Sequence, residues 1–183
     1  MAKIVSRRLV IDASVARAAG GEDATYPTSK NCRDFLKAVL EICHRVVMTP
    51  DIKEEWDKHQ SKLASTWRRT MVARKKLEYY PDIAVSDRLW NKIERMAASD
   101  KEREAMLKDL RLIEAARTTD KTIISLDDTV RELFRKAAES VDELKDIVWV
   151  NPAVAEEHPL EWLENGANPE RDRLLGTLGE RQP

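Results

Sequence analysis

The sequence predicts an α/β fold, in which a parallel sheet of about four strands is covered by helices on both faces. Short runs of apolar, mostly β-branched residues recur along the chain, as is typical of strands that are buried on both faces. Longer stretches with apolar residues at helical spacing alternate with these runs. A chain of 183 residues, 42% of them hydrophobic, is long enough to bury one such core. We therefore expect a Rossmann-like arrangement of three layers.

Each predicted strand ends at a polar residue or at a turn signal. The first run stops at Asp12, and a loop around the glycine pair 20–21 is expected to follow it. The last run stops at Asn151 and Pro152. The four runs cover residues 9–11, 46–48, 122–124 and 147–150.

Helix starts are indicated by capping residues. Thr49 followed by Pro50 is the clearest start, because a hydroxyl cap and a proline in the first turn both favour it. This helix is expected to run to Met71 or Leu77, ahead of Pro81. Extra helices are therefore expected between the second and third strands. The other predicted helices begin at Thr28 or Ser29, at Ser86, at Ser99 with Glu102 in a capping box, before Val130, and at Pro159 for a short helix to about Asn165.

Composition limits the classes of function. The order of elements gives one domain over residues 1–152 and a polar tail over residues 153–183. The sequence lacks the roughly 18 consecutive apolar residues of a membrane span, and its first apolar run is too short for a signal peptide, so the cytoplasm is the expected location. Cys32 and Cys43 fit neither a disulfide framework nor a zinc signature. A net charge of -1 gives nucleic-acid binding no global support.

Acidic residues follow the predicted strands at one edge of the sheet. Right-handed crossovers bring the carboxyl ends of parallel strands to the same edge, where α/β proteins bind ligands. Asp12 directly follows the first strand, and Asp127 follows the third strand by two residues, with Asp128 beside it. The other acids expected near this edge are Glu54 and Glu55, early in the helix that begins at Pro50, and Asp109, just before an apolar helix face.

Carboxylates that converge in one cleft repel one another, and a divalent cation removes that repulsion. Hard oxygen ligands suit Mg²⁺ or Mn²⁺ better than zinc. Such ions activate water and stabilise the charge on a phosphodiester under attack. The acids therefore predict metal-dependent phosphodiester hydrolysis.

The motifs in this order resemble those of the PIN-domain nucleases. The resemblance covers roughly residues 8 to 152 and rests on four segments, each weak alone: VIDAS at 10–14, TPDIKEE at 49–55, DLRLIEAA at 109–116 and IISLDD at 123–128. It implies a PIN-like fold and cleavage of RNA, sometimes DNA, with Mg²⁺ or Mn²⁺ as cofactor. The implied metal ligands and catalytic residues are Asp12, Glu55, Asp109 and Asp127, supported by the hydroxyls of Ser14 and Ser125.

Two choices stay open in this set. A step of one residue turns a helical side chain by roughly 100°, so only one of Glu54 and Glu55 can face the site, and Glu55 is favoured. Asp127 is favoured over Asp128 as a ligand, although Asp127 is also a natural N-cap for the next helix. The chain departs from the compact toxins of the family, because residues 56–108 are longer and more helical and the tail is extra. The substrate is therefore left open.

A basic cluster lies near the end of the predicted helical stretch, next to Trp67, Tyr79 and Tyr80. It would offer phosphates an electrostatic track with aromatic stacking, or it is an ordinary solvated helix face. The cluster consists of Arg68, Arg69, Arg74, Lys75 and Lys76. The other tryptophans, which are expected to pack in the core rather than stack on bases, are Trp56, Trp90, Trp149 and Trp162.

The sequence therefore favours an endonuclease, most readily an endoribonuclease, whose partners are an RNA or DNA substrate and no membrane. A homodimer is compatible with it, and a toxin would also need an antitoxin. The alternative is a catalytically inactive PIN-fold module that binds RNA or a protein partner. A hydrolase with a nucleophilic aspartate would need a second aspartate two residues after Asp12, where Ser14 stands. An NTPase would need a GxxxxGK[ST] loop, which the sequence lacks.

Overall fold

The computed structural model describes residues 4–21 and 26–177, and it has the predicted α/β architecture. One sheet holds five parallel strands in the order β3-β2-β1-β4-β5. It therefore has one strand more than the sequence predicted. The strands are β1 (Arg8–Ile11), β2 (Arg45–Met48), β3 (Leu77–Tyr79), β4 (Thr122–Ile124) and β5 (Val148–Val150).

Helices connect the strands. Most contacts between them fall into two groups, α1 and α2 with α3, α4 and α8, and α6 with α5 and α7, and the two groups meet where α3 contacts α6. Right-handed crossovers place these two groups on opposite faces of the sheet. None of the described helices is long and apolar enough to cross a lipid bilayer. The helices are α1 (Ala13–Ala18), α2 (Pro27–Glu41), α3 (Pro50–His59), α4 (Lys62–Ala73), α5 (Asp87–Met96), α6 (Asp100–Thr118), α7 (Asp128–Ala138) and α8 (Pro159–Glu164).

Strands β1, β4 and β5 are buried along nearly their whole length, because helices cover both sides of them. Leu9, Val10 and Ile11 are fully buried although neighbouring side chains point to opposite faces of the sheet. This explains why the strands are continuous apolar runs rather than alternating ones.

The long helix predicted after Thr49 is wrong in one respect, because the chain divides it. Thr49 caps α3 as expected, but the chain leaves the helix at Gln60, and Ser61 caps α4 by accepting a hydrogen bond from the Ala64 amide at 3.2 Å. In one straight helix, two residues eleven positions apart lie about 16 Å from each other. The break instead lets Trp56 and Trp67 stack with ring centroids 5.8 Å apart.

Two short elements depart from the sequence prediction. Residues expected in the loop after Asp12 form α1, which begins at once behind that aspartate. The additional strand β3 pairs with the outer side of β2, where an edge strand needs little apolar surface.

Helix α2 begins earlier than predicted, with Tyr26 in the N-cap position and Pro27 in the first turn. The caps predicted at Ser86 and Ser99 are confirmed.

The described part of the tail packs against the rest of the protein. The predicted short helix is α8, and it places Trp162 and Leu163 in the core. The Leu163 carbonyl accepts a hydrogen bond from His44 Nε2 at 2.9 Å. Further on, Leu174 forms an antiparallel bridge with Val148. Residues 178–183 of the tail lie outside the described part of the chain.

Candidate active site

The candidate site lies where the order of the strands reverses. From β1 the chain builds β2 and β3 on one side, then crosses back to place β4 on the other side of β1. Parallel sheets open a crevice beyond the carboxyl ends of the strands at such a point. Asp12 follows β1 there, and its amide donates to the Ile124 carbonyl at 2.9 Å, which joins the ends of the two strands.

Two serine hydroxyls orient the Asp12 carboxylate. Ser14 Oγ and Ser125 Oγ both donate to Asp12 Oδ2, at 2.5 and 3.0 Å. The same hydroxyls accept backbone amides, with the Leu126 amide 3.3 Å from Ser14 Oγ and the Asp127 amide 3.2 Å from Ser125 Oγ. The two strand-end loops are therefore cross-linked around Asp12, and its carboxylate has little freedom to rotate.

Asp127 caps a helix and also lines the candidate site. Its Oδ1 accepts the Val130 amide at 2.9 Å as the N-cap of α7, and its side chain also lines the cavity beside Asp12. Asp128 is turned elsewhere. Asn151 Nδ2 donates to Asp128 Oδ2 at 3.0 Å, and Asp128 does not line this cavity.

Glu55 is the glutamate of α3 that lines the cavity. One of its oxygens is 3.6 Å from Arg111 Nη1, and the other is 3.7 Å from His59 Nε2. The Glu54 side chain is 67% exposed and pairs with Lys58 at 2.7 Å. This matches the expected turn of one residue around the helix.

Asp109 is the most perturbed acid of the site. It lies in α6, only 7% exposed. Its pKa is raised to about 7, mainly by burial and in part by the neighbouring charges of Asp12 and Asp127, while Arg111 and Lys108 oppose that rise. Three carboxyl groups from separate parts of the chain are therefore close enough to affect one another electrostatically.

The acids share one cavity of about 160 Å³ with several basic side chains. Sequence reasoning missed these basic residues. A signal was available, because Lys108 and Arg111 are three positions apart, as neighbours on a helix face are, and Glu55 and His59 are four apart. The lining residues are Asp12, Ala13, Ser14, Arg17, Glu55, His59, Lys108, Asp109, Arg111 and Asp127.

The four acids are suited to a divalent ion by chemistry but do not yet form a coordination shell. Within residues 4–21 and 26–177, no three His, Cys, Asp or Glu side chains are grouped closely enough to hold a metal. Glu55 is instead directed toward Arg111 and His59. The donor oxygens are the hard type that Mg²⁺ and Mn²⁺ prefer. A three-carboxylate site would therefore require side-chain movement within this cavity.

The basic cluster noted in the sequence does not line the acid cavity. Lys76 Nζ donates to the Val39 and Leu40 carbonyls, each at 2.7 Å, at the end of α2. Three other members of the cluster have polar partners of their own. Arg68 pairs with Asp57 at 2.6 Å, Arg74 lies 3.5 Å from Glu41, and Arg69 is 3.4 Å from Thr66 Oγ1. Lys75 is exposed.

Three of the four tryptophans that were expected to pack do so. Trp56 and Trp149 are fully buried, and Trp162 nearly so. Trp56 Nε1 donates to the Ile11 carbonyl at 2.9 Å, which fixes α3 against the end of β1 next to Asp12. Trp90 differs, because 40% of its surface is exposed.

No protein-family model and no curated protein matches this chain. The resemblance to PIN-domain nucleases therefore stays a prediction that rests on the four sequence motifs. The chemistry of the cavity itself is therefore the basis for inferring a function.

Proposed function

We propose that this protein is a divalent-metal-dependent endonuclease and that RNA is its principal substrate class. The observation that carries the proposal is the convergence of Asp12, Glu55, Asp109 and Asp127 on one cavity at the switch point of the sheet. These residues come from four separate segments, and packing alone gives no reason to crowd their carboxyl groups. Strongly perturbed acids in a cleft are typical of functional sites.

The crowding favours a cation as the missing component. Burial raises the pKa of Asp109 and the charges of Asp12 and Asp127 add to that rise, so a cation held between these carboxyl groups would favour their ionised forms. When bound, Mg²⁺ or Mn²⁺ would lower the pKa of a water molecule and offset the charge of the phosphate.

The protein's own residues divide the remaining work. The serine hydroxyls hold Asp12 in a fixed orientation, and the capping bond to the Val130 amide holds Asp127. Arg17, Lys108 and Arg111 line the same cavity and supply positive charge for a phosphodiester. Arg111 lies 3.6 Å from Glu55 and 3.9 Å from Asp109, so it is placed to exchange a carboxylate partner for a phosphate.

A non-catalytic module is the second candidate, and one observation favours it. The part of the chain that the structure describes holds no ready-made three-residue metal site, and Arg111 already compensates Glu55. Such a protein would use its helical surface to bind RNA or a protein partner. A titration with Mn²⁺ separates the two, because a ligand that binds the native state raises the melting temperature.

The first prediction concerns cleavage by aspartate variants. We expect Asp12→Asn with Asp127→Asn to lower divalent-dependent cleavage of single-stranded RNA at least a hundredfold, because both variants remove an anionic ligand and keep the side-chain shape. The measurement is a panel of RNA and DNA oligonucleotides with Mg²⁺, Mn²⁺ or EDTA. Asp128→Asn is the matched control and should cleave normally, because Asp128 is turned toward Asn151. Equal rates for the double variant and the wild type would refute the proposal.

A further inference from the structure

A second pocket, of about 210 Å³, adjoins the acid cavity. Glu55, Lys108 and Arg111 line both. A ligand that occupies the acid cavity can therefore extend directly into this neighbour. The remaining lining residues of the second pocket are Asp51, Glu54, Val85, Trp90 and Leu107.

Trp90 gives the second pocket an exposed aromatic wall. On α5 the side chains of Leu89 and Ile93 are buried, being four positions apart on one face of the helix. Trp90 lies one position from Leu89, so its side chain points roughly 100° away from that buried direction. Packing of α5 on the core therefore does not require a tryptophan at this position. Val85 and Leu107 supply further apolar surface in the same pocket, and both are half-buried.

The charges of the two pockets are arranged unevenly. The cations Lys108 and Arg111 lie at the boundary that the pockets share. Asp51 and Glu54 line only the second pocket and would repel a phosphate there. The second pocket therefore suits a flat, uncharged group that is attached to an anion held at the shared boundary. A nucleotide has this shape, with a planar base linked to a phosphate.

We propose that Trp90 forms a stacking subsite for one base of a single-stranded nucleic acid, and that Lys108 and Arg111 contact the phosphate leading from that base into the acid cavity. The inference rests on the proposed nuclease function, because it takes the acid cavity as the place of the phosphate. Stacking on an aromatic side chain accepts any base, so this subsite adds affinity with little sequence preference. It also requires an unpaired strand, because the faces of a base are covered in a duplex.

The test measures binding separately from cleavage. A fluorescein-labelled eight-nucleotide single-stranded RNA is titrated with protein in EDTA, and the anisotropy gives Kd. We expect Trp90→Ala to weaken binding roughly tenfold and Trp90→Phe to restore most of it, because phenylalanine keeps a stacking face. The dependence of Kd on salt should be unchanged in both variants and reduced in Lys108→Ala, because Lys108 neutralises a phosphate and the side chain at position 90 does not.

Tyr26→Ala is the matched control, since Tyr26 is 77% exposed and lines neither pocket. Trp90→Ala must keep the wild-type melting temperature, as expected for a side chain at the surface. Equal Kd values for Trp90→Ala and the wild type would overturn the subsite, as would the absence of RNA binding by the wild type. If the wild type does not bind RNA, and Trp90 is instead required for self-association or for capture of another protein, Trp90 is a protein contact.

The two proposals can fail separately. RNA that binds through Trp90 but stays intact with Mn²⁺ would refute the nuclease and leave the stacking subsite standing. RNA that is cleaved with equal KM by the wild type and Trp90→Ala would refute the subsite and leave the nuclease standing.

Discussion

At the scale of single residues, Asp109 makes the metal-free protein less stable as pH rises. An aspartate in an unfolded chain ionises near the model value of 3.8, whereas burial keeps the proton on Asp109 up to about 7. Below the lower value Asp109 is protonated in both the folded and the unfolded state, so its ionisation does not change the free energy of unfolding. Between the two values the unfolded state is favoured increasingly, and above about 7 the full penalty is present.

Asp109→Asn should therefore stabilise the metal-free protein more at pH 8 than at pH 5, by on the order of 2–3 kcal/mol. Urea unfolding in EDTA at the two pH values measures this difference. Asp128→Asn serves as the control, because Asp128 is exposed. A difference that does not change with pH would show that Asp109 does not retain its proton in the folded protein.

The sequence identified these acids better than it identified their surroundings. Asp12 follows a strand directly and Asp127 comes shortly after one, so the ends of apolar runs were enough to place them. The choice of Glu55 over Glu54 needed the exact start of α3, which the Thr49 cap supplies. The spacing of Lys108 and Arg111 indicates a shared helix face, but not that Arg111 faces Glu55, because this ion pair joins two helices far apart in the chain.

At the scale of elements, Lys76 is a helix cap rather than a free surface cation. Its Nζ donates to the carbonyls of Val39, Leu40 and Ile42 at the carboxyl end of α2. A cation there satisfies carbonyls that have no partner inside the helix and complements the helix dipole. The local sequence of basic residues cannot reveal this, since the carbonyls lie more than thirty positions earlier in the chain.

Lys76→Met should destabilise the protein by about 2 kcal/mol, because hydrogen bonds to charged groups contribute on that order. Lys75→Met is a closely matched control: it makes the same chemical change one residue earlier, where the side chain is exposed. Chemical denaturation of both variants provides the measurement. Equal midpoints for the two would show that Lys76 does not support α2.

The break between α3 and α4 was also hidden from sequence reasoning. Residues 50–71 have helical spacing throughout, and neither Gln60 nor Ser61 is a strong helix breaker. The Ser61 amide is instead satisfied by the Ala16 carbonyl at 3.0 Å, in a different helix. Tertiary contacts therefore override local propensity at this point.

At the scale of the whole molecule, strand periodicity and the alternation of elements were enough to predict the architecture. They predicted four of the five strands and the parallel sheet. The fifth, β3, was missed because Leu77–Tyr79 is short and only half-buried to exposed at the sheet edge. The packing of the tail could not be predicted either, because its contacts with His44, just before β2, and with β5 join residues distant in sequence.

His44 contacts both the tail and the residue before β1, and its buried imidazole makes the stability of the protein depend on pH. Its Nδ1 accepts the Arg7 amide at 3.1 Å, so the proton needed to donate to the Leu163 carbonyl at 2.9 Å lies on Nε2. A second proton on the ring would place an Nδ1–H donor opposite the Arg7 N–H donor, and the hydrogen bond between them would be lost. Burial lowers the pKa of His44 below 6.5. The hydrogen bond to the Leu163 carbonyl opposes this shift, and the charges of Lys76 and Arg7 add to it.

His44 therefore contributes stability that is fully present above pH about 6.5 and is lost as pH falls toward its lower folded value. Asp109 acts in the opposite direction over part of this window, so the wild-type curve alone cannot isolate the histidine. We expect His44→Gln to lower stability by about 1–3 kcal/mol at pH 7.5 and the gap to the wild type to narrow by pH 5. His158→Asn, at an exposed left-handed position that asparagine tolerates, should keep the wild-type slope. Melting curves from pH 5 to 7.5 measure both, and a constant gap for His44→Gln would mean that the tail is not held by a neutral histidine.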